Sequence, residues 1–102
     1  MMPDSNALKV INITADTDAI VTGGGYYFGC RVTTDGTNAA RAEVKDSLTN
    51  GSGTAIDDVK GPASLATSIG GMNPFGVRFA TGLSVNITTV GSVTIWYIPT
   101  GA

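Results

Sequence analysis

The last fifth of the chain restricts its folding more than any other stretch. Leu83, Val85 and Ile87 alternate there with Ser84, Asn86 and Thr88, and after a short turn Val93, Ile95 and Tyr97 alternate with Thr94, Trp96 and Ile98. Successive side chains of a strand point to opposite faces, so this period of two in β-branched and aromatic residues predicts two strands, closing the chain as a hairpin. The first strand is apolar on one face. The second is apolar on both, with Trp96 and Ile98 behind the face that Val93, Ile95 and Tyr97 turn to the core. Extended apolar surface is unfavourable in water, so the second strand needs cover from a loop or a neighbouring subunit.

The rest of the chain reads the same way. Glycine takes 14 of the 102 positions, threonine is common and leucine scarce, a mixture suited to short strands joined by tight turns. Leu8 to Thr14 predicts a first strand, with Leu8 and Val10 on one face and Ile11 and Ile13 on the other. Ala15 to Asp18 reads as a turn, and Ala19 to Thr22 as a short strand ended by Gly23-Gly24-Gly25. Tyr26 to Thr33 alternates, setting Tyr26, Phe28, Cys30 and Val32 against Tyr27, Gly29 and Arg31. Thr34-Asp35-Gly36-Thr37 carries the Asp-Gly hairpin signal. The returning strand, Ala39 to Leu48, turns Ala40, Ala42, Val44 and Leu48 inward and Arg41, Glu43 and Lys45 to water.

Thr54 to Val59 reads as a short strand, and 63–69 as an edge strand or loop, with a helical turn as the alternative. Met72-Asn73-Pro74 is a break, after which Phe75 to Ala80 places Phe75, Val77 and Phe79 on one face. Seven or eight short strands punctuated by turns predict an all-β fold, a small antiparallel β-sandwich or jelly-roll-like domain, with a small barrel as the alternative. The expected organisation is a polar amino-terminal arm over 1–7, one β domain over 8–98 and a tail over 99–102.

Composition excludes much chemistry. The chain has no histidine, which removes Ser-His-Asp and Cys-His constellations and histidine-containing zinc sites. A single cysteine, Cys30, permits no internal disulfide, and its apolar strand argues for a buried side chain rather than a nucleophile. Asp16 with Asp18, and Asp57 with Asp58, are the carboxylate pairs available for catalysis or calcium, but both sit in polar turn-like sequence where acids cap backbone groups. The reading is of a non-enzyme without cofactor or metal.

The net charge is −2, and the six basic residues are scattered, so nucleic acid is not an expected partner. Gly23 to Gly29 opens an aromatic strand rather than a helix, unlike a phosphate-cradling loop. Asn12-Ile13-Thr14, Asn50-Gly51-Ser52 and Asn86-Ile87-Thr88 match the glycan acceptor pattern by chance. Neither a signal-peptide pattern nor an apolar run of membrane-spanning length is present, so the expectation is synthesis in the cytoplasm and no membrane partner.

Three segments, Leu8 to Thr14, Gly24 to Val32 and Gly76 to Val85, resemble the small β-sandwich virion proteins encoded by tailed bacteriophages. The resemblance implies a structural part of a particle: a capsid decoration or cement protein, with a head-fibre, tail or baseplate component as the alternative. It further implies a symmetric homo-oligomer, a trimer above others, that binds the major capsid protein or another virion protein and is assembled in the host cytoplasm. No residue-level site comes with it. From the residues themselves, Trp96, Tyr27 and Ile98 are the expected interface anchors, since Trp and Tyr away from a core face commonly serve that role. The alternative reading is a receptor- or glycan-recognition module.

Overall fold

A computed structural model describes residues 7–35, 37–61, 68–88 and 90–100. They form eight strands: β1 (Lys9–Ile13), β2 (Thr17–Thr22), β3 (Gly25–Thr34), β4 (Ala40–Asp46), β5 (Thr54–Gly61), β6 (Ser68–Phe79), β7 (Gly82–Thr88) and β8 (Val90–Pro99). Two four-stranded sheets result, ordered β1-β8-β3-β6 and β2-β7-β4-β5. Every pairing is antiparallel, and β1 joins β8, β2 joins β7, β3 joins β6 and β4 joins β5. That is the connectivity of a jelly roll: one long hairpin, bent at β4–β5, wrapped so that β3 also pairs with β8 and β4 with β7. The expectation for 63–69 lies largely outside the described residues.

The core lies between the sheets. Val32, Ala42, Val44, Phe79, Leu83, Val85, Val93 and Ile95 are fully buried, and Ile11, Ile56, Ile87 and Tyr97 pack against them. Each fully buried aliphatic or aromatic side chain stabilises the fold by roughly 1.5–3 kcal/mol. The alternations read for β1, β4, β7 and β8 thus point inward as expected, except that Leu48 is left half-exposed past the end of β4. Ser84, on the outer side of β7, is buried as well. The loop after β4 folds over it: Ser84 Oγ donates to the Thr49 carbonyl at 2.9 Å, and Asn50 bonds Asp18 and Asn86.

Several expectations need correction. The closing strands do not form a hairpin; β7 and β8 belong to different sheets, each central in its own. Being central, β8 carries neighbours along both edges, and Trp96 and Ile98 stand on the outer face of its sheet. β3 and β4 likewise lie in different sheets rather than in one hairpin, and Asp35 accepts from the amides of Thr37 and Asn38, both at 2.8 Å; Gly36 of the expected Asp-Gly turn lies outside the described residues. Within β3 the inward set changes phase: Tyr27 is inside along with Cys30 and Val32, whereas Tyr26 faces out. The register shifts between Tyr27 and Cys30 against β8 and between Tyr27 and Gly29 against β6, which marks a bulge. Gly29, at φ 116°, makes it possible, and its α-carbon lies so close to the Gly71 carbonyl that no side chain fits.

The same bulge reshapes β6. Between Val77 and Met72 this strand carries more residues than β3 does opposite, and Asn73 to Gly76 turns outward. The Phe75 amide donates to Asn73 Oδ1 at 2.9 Å, and Gly76 adopts φ 63° beneath the Phe28 ring. Phe75 therefore does not share the inner face with Phe79; it is 90% exposed.

Candidate functional site

The two outer faces of the sandwich differ in kind. On the β4–β5 side, Arg41 makes two bonds to Asp58, at 2.9 and 2.8 Å, and lies 3.5 Å from Glu43, with Lys45 and Lys60 completing a charged lattice. This face is solvated, and its exposed pairs add little stability individually. The outer face of the β1-β8-β3-β6 sheet carries an apolar, aromatic patch, with Asn12, Arg31, Thr33 and Thr94 on the same face beside it. Val10 lies opposite Trp96, and Tyr26 opposite Ile98. Val10 is 59% and Tyr26 39% exposed, while Trp96 and Ile98 are half-buried. Two cations flank the patch, with the Arg31 guanidinium 5.7 Å from the Trp96 ring centre and Arg78 6.0 Å from that of Tyr26.

Of the three expected anchors, Trp96 and Ile98 sit on this outer face, and Tyr27 does not. Tyr27 is 3% exposed, because the bulge at Gly29 turns it into the sandwich, where its hydroxyl donates to Asp57 Oδ2 at 2.6 Å. Tyr26 takes the outer position instead. Strand alternation without knowledge of the bulge cannot separate the two tyrosines; the Gly29 interruption of the aromatic run was the available signal.

Tyr27 and Asp57 belong to a second feature, a cavity of about 320 Å³ between the edge strands β5 and β6. Ile56, Val59 and Val77 form apolar walls, and Gly70, Gly71 and Cys30 also border it. Asp57 lies opposite the buried Val44 in the register, so its carboxylate faces inward, while its neighbour Asp58 faces out to Arg41. The two acids are thus on opposite faces of one strand and do not share a cleft. Asp16 and Asp18 are likewise used separately: Asp16 accepts from the Ile87 amide at 2.6 Å, and Asp18 from Asn50. Among the described residues no group of three or more acids and cysteines is placed to hold a metal ion.

Burial, first of all, raises the Tyr27 phenol far above its ordinary range, and the neighbouring Cys30 and Asp57 push it the same way. Burial also pushes the Cys30 thiol up to about 11, a shift that its contact with Tyr27 opposes and the Asp57 charge assists. Both groups hold their protons at neutral pH, so Cys30 is a thiol rather than a reactive thiolate. At the far end of the sandwich Asp46 accepts three backbone amides, from Ala80, Thr81 and Gly82, at 3.0, 2.8 and 3.3 Å. It ties the β6–β7 turn to the end of β4.

No protein family, curated protein or solved structure matches this chain in comparisons of sequence and fold. The jelly-roll assignment rests on strand order and register alone, and such a fold hosts many functions.

Proposed function

We propose that this chain is a non-enzymatic structural protein of a phage virion, of the capsid decoration type, acting as a homo-oligomer. The observation that supports it is the contrast between the outer faces: one a charged, solvated lattice, the other bearing an apolar patch of Val10, Tyr26, Trp96 and Ile98. Burying the second against the major capsid protein or another copy of the chain contributes about 25 cal/mol for each Å² of apolar surface removed from water. Many identical weak contacts over a lattice then add up to firm attachment. A trimer is the assembly we expect.

The test is particle occupancy. Trp96→Ala protein, folded by circular dichroism, is added to particles lacking the native chain, and bound copies are counted by electron microscopy. Occupancy well below wild type is expected, with the chain spread over the head lattice. Unchanged occupancy, or density at a single tail position only, would refute the reading; the tail position would point to a recognition module.

A further inference from the structure

The cavity between β5 and β6 has features that core packing leaves unexplained. Its volume, about 320 Å³, lies at the lower end of the roughly 300–1,000 Å³ usual for small-molecule pockets. It is a cleft open to solvent, with Gly70, Gly71, Asn73 and Val77 exposed along its rim. Part of the space lies over Gly71. Gly71 pairs with the inward-facing Cys30, so a side chain at 71 would stand on the inner face beside it. A β-carbon there would meet no heavy atom within 4 Å, and Gly71 is not among the residues with positive φ. Neither backbone nor packing requires glycine at this position.

The polar end of the cavity is a carboxylate. Asp57 Oδ2 accepts from Tyr27 and Oδ1 from the Asp58 amide, at 2.6 and 2.8 Å. Among the described residues it forms no salt bridge; the nearby cations Arg41 and Lys60 are turned to Asp58 on the other face. This partly buried carboxylate has lone pairs to spare and no cation beside it, so a positive group entering the cavity could bond it. Apolar walls of Ile56, Val59 and Val77 stand next to it.

We propose that this cavity binds a small organic cation, an alkyl- or arylammonium whose N–H groups bond Asp57 and whose hydrocarbon part lies against Ile56, Val59 and Val77. The site is separate from the docking face and does not depend on the virion reading. No covalent step is involved.

The full chain, labelled with ¹⁵N, is titrated with n-butylammonium and benzylammonium, and in parallel with n-butanol as a neutral counterpart. Saturable shifts of the Cys30, Asp57, Gly70 and Gly71 amides are expected with the amines at millimolar concentration. Asp57→Asn is expected to weaken amine binding by at least about tenfold, the range of one charge-assisted hydrogen bond. Gly71→Val places a side chain into the cavity and is expected to weaken the shifts while keeping the fold. An absence of saturable shifts with either amine, equal binding of butanol, or undiminished binding in Gly71→Val overturns the proposal. The amine-against-butanol comparison uses the wild-type chain and decides the matter even if a variant fails to fold.

Discussion

Gly29 and Gly71 face each other across the β3–β6 ladder one register position apart, yet alanine should have opposite consequences at the two sites. At Gly29 the backbone has φ 116°, and an added β-carbon would lie 2.3 Å from the Gly71 carbonyl oxygen and 3.0 Å from the Asn73 amide. The dihedral alone costs an L-residue on the order of 1–3 kcal/mol. The clash is with backbone, so relief requires β3 and β6 to move apart by about an ångström, which breaks neighbouring ladder bonds worth roughly 0.5–1.5 kcal/mol each. Gly29→Ala should therefore cost at least about 3 kcal/mol, a large share of the roughly 5–15 kcal/mol that holds a domain folded. For a domain of this size the midpoint falls by about 4–8 °C per kcal/mol, so a loss exceeding about 12 °C is expected. Gly71→Ala meets open space in ordinary strand geometry, and removing glycine's unfolded-state freedom stabilises by about 0.4–1 kcal/mol. Thermal melts followed by far-ultraviolet circular dichroism measure both. Equal midpoints for the two variants would refute the bulge and with it the inward placement of Tyr27.

The pH dependence of stability should carry the signature of Asp46. Partial burial acts to raise its carboxyl, but the amides of Ala80, Thr81 and Gly82 outweigh that and hold it below the usual carboxylate range. A depressed folded-state value means a stabilising contribution that is complete above the unfolded value of about 4 and is lost as pH falls through the folded one. Asp46→Asn should cost about 1–2 kcal/mol at neutral pH in urea titrations and flatten the decline below about pH 4; a variant with the wild-type slope would contradict the assignment. Tyr27→Phe removes the bond to Asp57 between the two sheets and should cost about 1.5–3 kcal/mol, since its acceptor is charged. A neutral result in the same urea assay would mean that the bond contributes nothing net.

Much of the architecture follows from local pattern. The inward residues of β1, β4, β7 and β8 are set by alternation, because β-branched and aromatic side chains at a period of two have one face to bury. Pairing was not legible in the same way. Val93 to Ile98 reads as the partner of Leu83 to Thr88 because they are adjacent in sequence, whereas a jelly roll pairs strands far apart and leaves β4–β5 as the one neighbouring hairpin. Hydrophobic periodicity reports which face is buried and says nothing about which strand lies alongside. The site divides similarly. Trp96 and Ile98 follow from a strand apolar on both faces, but alternation places Tyr27 outward, because it does not see the single inserted residue at Gly29 that inverts every side chain before it. The inward turn of Asp57 had a local cue: in Asp57-Asp58-Val59-Lys60, the first acid shares its face with Val59 and the second with Lys60.

If the chain attaches to particles as proposed, salt tells which outer face docks. If the Arg41–Asp58 lattice were the contact surface, attachment would draw on charge pairs whose range shrinks from about 8 Å at physiological ionic strength to about 3 Å at 1 M. If the Val10, Tyr26, Trp96 and Ile98 surface docks, the driving force is removal of apolar area from water, which salt does not screen and which excluded salts such as sulfate strengthen. Arg31 and Arg78 contribute to that surface mainly by lying over aromatic rings, an interaction worth about 0.5–1 kcal/mol where exposed. Particle occupancy of the wild-type chain should therefore persist in 1 M sodium chloride, roughly the ionic strength at which surface pairs are lost, and should rise in sulfate. Release by sodium chloride would move the contact to the β4–β5 face and leave Trp96 and Ile98 to an interface between copies of this chain.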